Sequence, residues 1–443
     1  MTTANWVDTT MDGVAWAKTC GEDRPERPAL EGEAEADLVI VGAGFLGTMT
    51  ALRAAQAGLK VLVLEGGRVA SGASGRNGGY VVPHFPGAVS PQMVEGYLGR
   101  EKGRKLCELV MSGPNRLAEI VKHYRIRSDY LQNGWLQPAH DEVALGKTRA
   151  IYEQWKSLGA PVSWLDAGEV AAELGAGGYL GGWRNPEGAV INPMGQSLGF
   201  ARAAEAEGAV IHEHSRVESI VQDPGQKAVV RGENFRVTAG KVLIATNAYT
   251  DDLLPELRKT VIPVRLWHTT TKPLSPELRK TILPNNACFT DLRKSGGFGR
   301  LDIEGRLVSG GSCLGVARDA KGYGLAHARA RINALYPALR GQPLEFDSYW
   351  EGYVAVTDNY LPHMQRLRPD VFSVIGFGTR GVNLAPNLGL LLGDFFGGKL
   401  GLADIPLEQV DGVRKIAAHG IKSAVAQQIF PYYKFRDRKS FVV

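Results

Sequence analysis

Asp37-Leu-Val-Ile-Val-Gly-Ala-Gly-Phe-Leu-Gly47 decides the fold of this 443-residue chain. A short apolar run ends in Gly42-x-Gly44-x-x-Gly47, and an alanine-rich helical stretch follows to Gly58. Lys60-Val-Leu-Val-Leu-Glu65 then reads as a second buried strand. Strand, tight turn, helix and strand within about 30 residues make a βαβ unit. Parallel strands covered on both faces carry near-continuous apolar runs, as these do. The first glycine serves the turn, the second lets backbone approach a pyrophosphate, and the third lets the helix pack on the sheet. The helix start adds free N–H groups and the positive end of its dipole. Glu65 ends the second strand, where a carboxylate can accept hydrogen bonds from ribose hydroxyls. Gly42, Gly44, Phe45, Leu46, Gly47, Glu65 and Gly66 are thus the expected dinucleotide cradle.

The rest of the composition narrows the class. Apolar residues make up 44% and charged residues 22%, with a formal charge of +5. That mix predicts a packed globular protein and excludes a coiled coil, a collagen-like chain and an acidic disordered chain. The basic excess is small and scattered, so no nucleic-acid partner is expected. Cys20, Cys107, Cys288 and Cys313 lie far apart without C-x-x-C spacing, which argues against a zinc site or a disulfide scaffold. His212 and His214 would share one face of a strand, but no third ligand stands out, so no metal is expected. The arm at residues 1–35 is polar, carries Trp6 and Trp16, and lacks a signal peptide's basic start and apolar run. The longest apolar stretch, Ala36 to Gly58, is broken by Arg53 and Gln56. No stable membrane insertion is expected, and a cytoplasmic location follows as the default.

Further elements spread along the chain. Met93 to His123 reads as mostly helical, with Pro114 opening a second helix. Asp141 caps a helix to Leu158, and Asp166 with Glu169 forms a capping box. Short strands follow Val210, with Phe235 to Val237 and Lys241 to Thr246 as separate pieces. Pro263 to Gly315 has the pattern of antiparallel strands. Nucleotide-type elements recur at 36–85, 190–255 and 345–400. Residues 86–189 and 256–344 are inserted between them as a substrate or cap domain, and 401–443 is a C-terminal segment. The fold class is therefore α/β and α+β: a discontinuous Rossmann-like domain with an inserted domain containing a mixed, largely antiparallel sheet.

Two loops separate a flavin from a nicotinamide cofactor. Ser74, Gly75, Arg76, Asn77, Gly78 and Gly79 place polar donors and bare backbone further along the cofactor's path. Gly376-Phe-Gly378-Thr-Arg380-Gly381-Val382-Asn383 precedes an apolar helix. Its amides and Arg380 suit the pyrimidine edge of a flavin, which gains negative charge on reduction.

With these marks the sequence resembles the D-amino-acid-oxidase-type family of FAD-dependent oxidoreductases. The likeness is nearest to gamma-glutamylputrescine oxidoreductase-like members. It covers residues 36–438 through VIVGAGFLG, VLVLEGGRVASGASGRNGG, INPMGQSLGFARAAEAEGA, VLIATNAYT, VIGFGTRGVNLAPNLG and YYKFRDR. The resemblance implies FAD as cofactor, with Val217 at the adenine edge, Thr246 and Asn247 near the ribityl and phosphate region, and Gly378 to Asn383 around the pyrimidine ring. It also implies a sheet, built largely from 256–344, roofing the flavin. Several relatives have Ser-Gly-His-Gly where this chain has Gly378-Thr379-Arg380-Gly381, so a fixed cation replaces an imidazole. No cysteine follows Cys313, which favours non-covalent FAD. The implied activity is oxidation of an amine, such as a gamma-glutamyl-polyamine or an alkylamine. A hydride passes from the N–CH carbon to flavin N5, the imine hydrolyses, and O2 reoxidises the flavin to give hydrogen peroxide. The alternative substrate is a D-, cyclic or N-methyl amino acid, under an oxidase or a dehydrogenase. Trp267, His268, Phe298, Arg300, Trp350 and Tyr353 are the expected substrate-binding residues. Arg380, Arg300 and His363 are the expected catalytic ones, and Lys272 or Lys294 could supply charge for oxygen activation. A homodimer is compatible with this reading.

Overall fold

The structure is a computed structural model and describes residues 10–312 and 319–437. Trp6, Cys313 and Arg438 lie outside the described residues. Gly32–Val41 and Val61–Leu64 pair in parallel, Leu38 opposite Val61 and Val41 opposite Leu64. The helix Phe45–Gln56 joins them. Leu38 and Ile40 enter one core, while Val39 and Val41 enter another. That is the two-residue period of a strand covered on both faces. The sheet runs in the order Glu408–Asp411, His363–Arg368, Val371–Ile375, Phe235–Ile244, Gly32–Val41, Val61–Leu64, Val210–His212. Ala228–Arg231 and Ser219–Val221 extend it as an antiparallel pair beside Phe235–Ile244.

A second sheet has the order Phe346–Val356, Ile262–Pro273, Arg306–Ser312, Phe298–Leu301, Cys288–Thr290, Trp135–Ala139, Gly181–Asn185, Ser163–Asp166. Its pairs are antiparallel except Cys288–Thr290 with Trp135–Ala139. The architecture is a Rossmann-like sheet joined to a mixed, largely antiparallel one. Behind the first sheet, Gly389 and Gly393 of the helix Gly381–Phe396 meet Phe45–Gln56. A Cβ at Gly389 would lie 2.8 Å from the Leu46 carbonyl oxygen, and one at Gly393 would lie 2.4 Å from Arg53 Cβ.

Several expectations change. The arm is packed: Met11, Val14, Ala15 and Trp16 are buried, Ala15–Lys18 is a short helix, and the first strand begins at Gly32. Pro114 sits inside one helix, Arg100–His123; the break falls instead at Gly99, whose φ is +79°. Phe235–Ile244 is one strand, because Gly240 lets the neighbouring strand approach; a Cβ there would lie 2.7 Å from the Asp37 carbonyl oxygen. Phe346–Val356 belongs to the second sheet, paired with Ile262–Pro273 from Val356 at Ile262 onward. Glu408–Asp411 adds an edge to the first sheet rather than standing apart. Pairings between strands so distant in sequence leave no local mark. Among the described residues no helix is long and apolar enough to cross a membrane, and no group of three or more His, Cys, Asp or Glu could hold a metal.

Candidate active site

One cavity of about 1300 Å³ opens at the carboxyl ends of Gly32–Val41 and Val61–Leu64, where the second sheet meets them. Ligands of open α/β sheets sit at such strand ends. Gly42, Gly44, Phe45, Leu46, Glu65 and Gly66 line its first end. Gly42 has φ +104°, and a Cβ on Gly47 would fall 2.0 Å from the Gly42 carbonyl oxygen. Gly47 is therefore not in the lining; it lets the helix start close against the turn. The first-turn amides lack intrahelical acceptors, and the Phe45 amide donates to Ser74 Oγ at 3.0 Å. The Glu65 carboxylate accepts from the Ala43 and Gly67 amides, both at 2.9 Å. Burial pushes its carboxyl up while these two bonds pull it down. Val217 lines the cavity as well. A bare turn, open helix amides and an aimed carboxylate fit the pyrophosphate and ribose of FAD.

Ser74, Arg76, Asn77 and Gly78 line the next stretch. Arg76 and Asn77 are committed to their own surroundings. Arg76 Nε donates to the Ser71 carbonyl at 2.7 Å and Nη2 donates to that of Thr10. Asn77 Nδ2 donates to the Ser74 carbonyl at 2.7 Å, and its Oδ1 accepts from the Gly79 amide at 2.8 Å. Gly75 and Gly79 lie outside the lining. A Cβ on Gly75 would sit 2.0 Å from the Ala70 carbonyl oxygen, and one on Gly79 2.1 Å from Arg300 Nη1. Thr246 and Asn247 line the cavity, and Asn247 Oδ1 accepts from the Gly376 amide at 2.9 Å. Gly378, Arg380, Gly381 and Val382 complete this end.

Arg380 donates only weakly, to the Thr379 carbonyl and Thr290 Oγ1, both at 3.3 Å. Its Nε has no partner, and it makes no ion pair among the described residues. Lost hydration lowers its guanidinium to about 10, still charged at neutral pH. Asn383 is elsewhere than expected. It is buried, and its Nδ2 donates to the Val110 carbonyl at 2.8 Å and the Val82 carbonyl at 3.0 Å, tying two helices and a loop.

The substrate candidates divide by strand face. His268, Phe298 and Tyr353 line the cavity. Trp267, one residue from His268, points to the opposite face, stacks on Tyr349 and donates to the Ser312 carbonyl at 3.1 Å. Trp350 stands behind His268, stacked at 5.5 Å, with its Nε1 on the Arg76 carbonyl at 2.7 Å. Arg300 is 2% exposed and donates to the carbonyls of Ile191 (2.6 Å), Gly79 (2.8 Å), Gly78 (3.2 Å) and Leu301 (3.2 Å). These Nε and Nη1 bonds brace the loop at residues 78–79, and Arg300 itself is outside the cavity lining. His363 sits within the first sheet, its Nε2 at 3.0 Å from Asn359 Oδ1, outside the lining. Lys294 is exposed at the cavity wall, whereas Lys272 pairs with Glu345 outside it. No cysteine sulfur lines the cavity among the described residues; Cys288 is buried against the Gly134 and Ala189 carbonyls.

His268 is the notable survivor. Burial and the positive charges of Arg331 and Arg300 lower its imidazole to about 4, so it is neutral at pH 7. Two contributors escaped the sequence reading. Trp16 donates to the Asn77 carbonyl at 2.8 Å and lies under Arg300 at 5.0 Å; a tryptophan in a polar arm was the available signal. Tyr80 lines the cavity edge-on to Phe298 at 5.8 Å; it directly follows the glycine loop.

Comparison with known proteins agrees with this geometry. Residues 37–395 match the family model described as FAD dependent oxidoreductase. The chain is 29% identical over 408 residues to gamma-glutamylputrescine oxidoreductase of Escherichia coli (strain K12), covering 91% of this chain and 93% of that protein. It is 25% identical over 367 residues to glycine oxidase of Geobacillus kaustophilus (strain HTA426), covering 81% and 92% respectively. The crystal structure of glycine oxidase from Geobacillus kaustophilus superposes with a TM-score of 0.71 at 21% identity, over 87% of this chain and 100% of that one. L-proline dehydrogenase from P. horikoshii superposes with a TM-score of 0.68 at 20% identity, over 85% and 96%. The chain belongs to the FAD dependent oxidoreductase family, as an enzyme that oxidises CH–NH or CH–NH2 donors.

Proposed function

We propose that this enzyme oxidises a small amino compound that also carries a carboxylate, an amino acid or N-substituted amino acid, with O2 as the electron acceptor. When bound, FAD supplies the two-electron acceptor for the C–N bond. The carrying observation is that one cavity is lined both by a neutral imidazole, His268, and by a cation with no carboxylate partner among the described residues, Arg380. Gly42 to Leu46 and Glu65 would hold the pyrophosphate and ribose, Val217 would border the adenine, Thr246 and Asn247 the ribityl and phosphate region, and Ser74, Arg76 to Gly78 and Gly378 to Val382 the ring. His268, neutral at pH 7, can accept a hydrogen bond from the substrate amine, and the buried, cation-rich wall around it favours the uncharged amine, which can give up electrons. Phe298 and Tyr353 form walls that exclude water. Arg380 and the first-turn amides of Gly381 and Val382 balance negative charge that develops at the ring end.

A second reading has specific support. The Escherichia coli relative is named for gamma-glutamylputrescine, and a gamma-glutamyl group also bears a carboxylate. An anaerobic screen of amino acids and amines, following loss of the visible flavin band, tests both. Amino carboxylates are expected to bleach the band and to give peroxide under air. Bleaching by carboxylate-free amines alone would replace the reading, and bleaching by none would end it.

A further inference from the structure

Four successive carbonyls of the loop at residues 76–79 are held by three side chains. Trp350 Nε1 donates to the Arg76 carbonyl at 2.7 Å, and Trp16 Nε1 donates to that of Asn77 at 2.8 Å. Arg300 Nη1 donates to those of Gly78 and Gly79, at 3.2 and 2.8 Å. Trp16 touches both of the other donors. Its ring meets Trp350 edge-on at 5.4 Å, and Arg300 Cζ lies over it at 5.0 Å. Trp350 in turn stacks on His268 at 5.5 Å.

The arm that carries Trp16 is fixed at several points. Val14, Ala15 and Trp16 are buried. Asn192 Nδ2 donates to the Trp16 carbonyl and to Thr19 Oγ1, both at 3.1 Å. Arg76 Nη2 donates to the Thr10 carbonyl. Gly13 passes so close to the second sheet that a Cβ there would lie 2.7 Å from the Tyr349 carbonyl oxygen. On the cavity side the margin is as small: a Cβ on Gly78 would lie 3.0 Å from His268 Nε2. Residues 10–19 lie outside the matched family span of 37–395. They nevertheless back the loop and, through Trp350, the imidazole beside it.

A buried indole N–H without an acceptor and a buried carbonyl without a donor are both unfavourable. Closely packed rings also have few alternative positions. Trp16 therefore fixes where the loop stands relative to Trp350 and Arg300. We propose that Trp16 is a positioning residue, through which the arm sets the spacing between the loop at 76–79 and His268, and with it the seat of the flavin ring. The inference rests on the proposed placement of this loop beside the ring. Fastening and binding are then reciprocal: an arm that tightens the hold on FAD is itself tightened when FAD binds.

Trp16→Phe keeps an aromatic ring at Trp350 and removes the N–H. Loss of one neutral hydrogen bond is expected to raise the FAD Kd by about five-fold, and the visible circular dichroism of the bound flavin is expected to change with the seat of the ring. Lys18→Met is the control. It cuts an exposed ion pair of the same arm, Lys18 with Asp347 at 2.9 Å, and is expected to leave Kd and dichroism unchanged. A folded Trp16→Phe protein with wild-type Kd and dichroism overturns the assignment, as does a Lys18→Met protein with the same losses as Trp16→Phe. Gly78→Ala separates this inference from the placement beneath it. If Gly78→Ala alters the dichroism and Trp16→Phe does not, only the role of Trp16 falls; if neither does, the placement of the loop falls too. Hydrogen exchange of the wild type decides if Trp16→Phe does not fold. Adding FAD to apoprotein is expected to slow exchange at residues 11–19 by a larger factor than in the helix Glu142–Ser157, which lines no part of the cavity. An equal or smaller factor overturns the assignment. None of these readouts needs turnover, so a screen in which no amino compound bleaches the flavin would end the reading of the reaction alone.

Discussion

At the end proposed for the phosphates the cavity is walled by consecutive backbone, Gly42 to Leu46, and one carboxylate, Glu65. At the end proposed for the substrate the walls come from Tyr80, His268, Phe298 and Tyr353, with Arg331 behind Phe298. The first end discriminates by shape and by amides that the local chain must expose. The second discriminates by burying titratable side chains from separate strands and a helix. A backbone cradle should therefore fail abruptly when any Cβ enters it. The side-chain end should fail gradually, with each loss changing one property.

The largest effect is expected at Gly47. Its missing Cβ would fall 2.0 Å from the Gly42 carbonyl oxygen and 3.1 Å from Ile40 Cγ2. Gly47→Val must push the helix off the turn. A cost of about 3 kcal/mol or more is expected, read as loss of bound flavin on purification and a lower thermal midpoint. A variant that kept full flavin content would show that the cradle tolerates displacement.

Arg380→Met tests the other end. The guanidinium is charged and without a carboxylate partner among the described residues. Its removal is expected to slow anaerobic flavin reduction by about a hundred-fold, the size associated with losing one preorganised charge stabiliser, with flavin content preserved. Arg380→Lys should recover part of the rate. An unchanged rate and flavin midpoint potential would remove Arg380 from the chemistry.

His268 sets a smaller, pH-dependent effect. Its imidazole titrates near 4 in the folded chain, against an ordinary value of 6.5. The unfolded chain therefore takes up the proton first as pH falls. Stability from this group is fully present above about pH 6.5 and is lost progressively down to about pH 4. His268→Gln lacks that titration. The difference in thermal midpoint between wild type and variant should shift against the wild type across this window and stay level above it. A flat difference would mean that the imidazole is solvated.

The same contrast explains what the sequence could tell. The cradle was legible because its glycines, helix and carboxylate are adjacent along the chain and each has a local steric reason. The cofactor loops were legible as motifs, yet the roles of Arg76, Asn77 and Asn383 were not, because their acceptors are carbonyls fixed by tertiary packing. His268 and Trp267 could not be separated without knowing which face of Ile262–Pro273 meets the cavity. Arg300 was read as a carboxylate fork because a sequence shows a guanidinium but not the carbonyls of Gly78, Gly79 and Ile191 that use it. Arg331 carried no mark at all: that its Nε and Nη1 lack partners among the described residues is a property of tertiary packing.

Ser74 joins the two ends and gives the smallest expected effect. Its side chain sits on the loop proposed to border the ring, yet its Oγ accepts from the Phe45 amide at the start of the helix Phe45–Gln56. A Cβ on Gly44 would lie 3.0 Å from the same oxygen, so the hydroxyl also sets how closely the loop approaches the cradle. Ser74→Ala removes the acceptor without adding bulk. One neutral hydrogen bond is worth about 1 kcal/mol, so FAD affinity should fall by about five-fold, measured by fluorescence titration of apoprotein with FAD. If the bond only fastens the loop, affinity falls while the rate of flavin reduction stays unchanged. If it also positions the ring against His268, both fall together, and the backbone cradle and the side-chain end are then one mechanical unit.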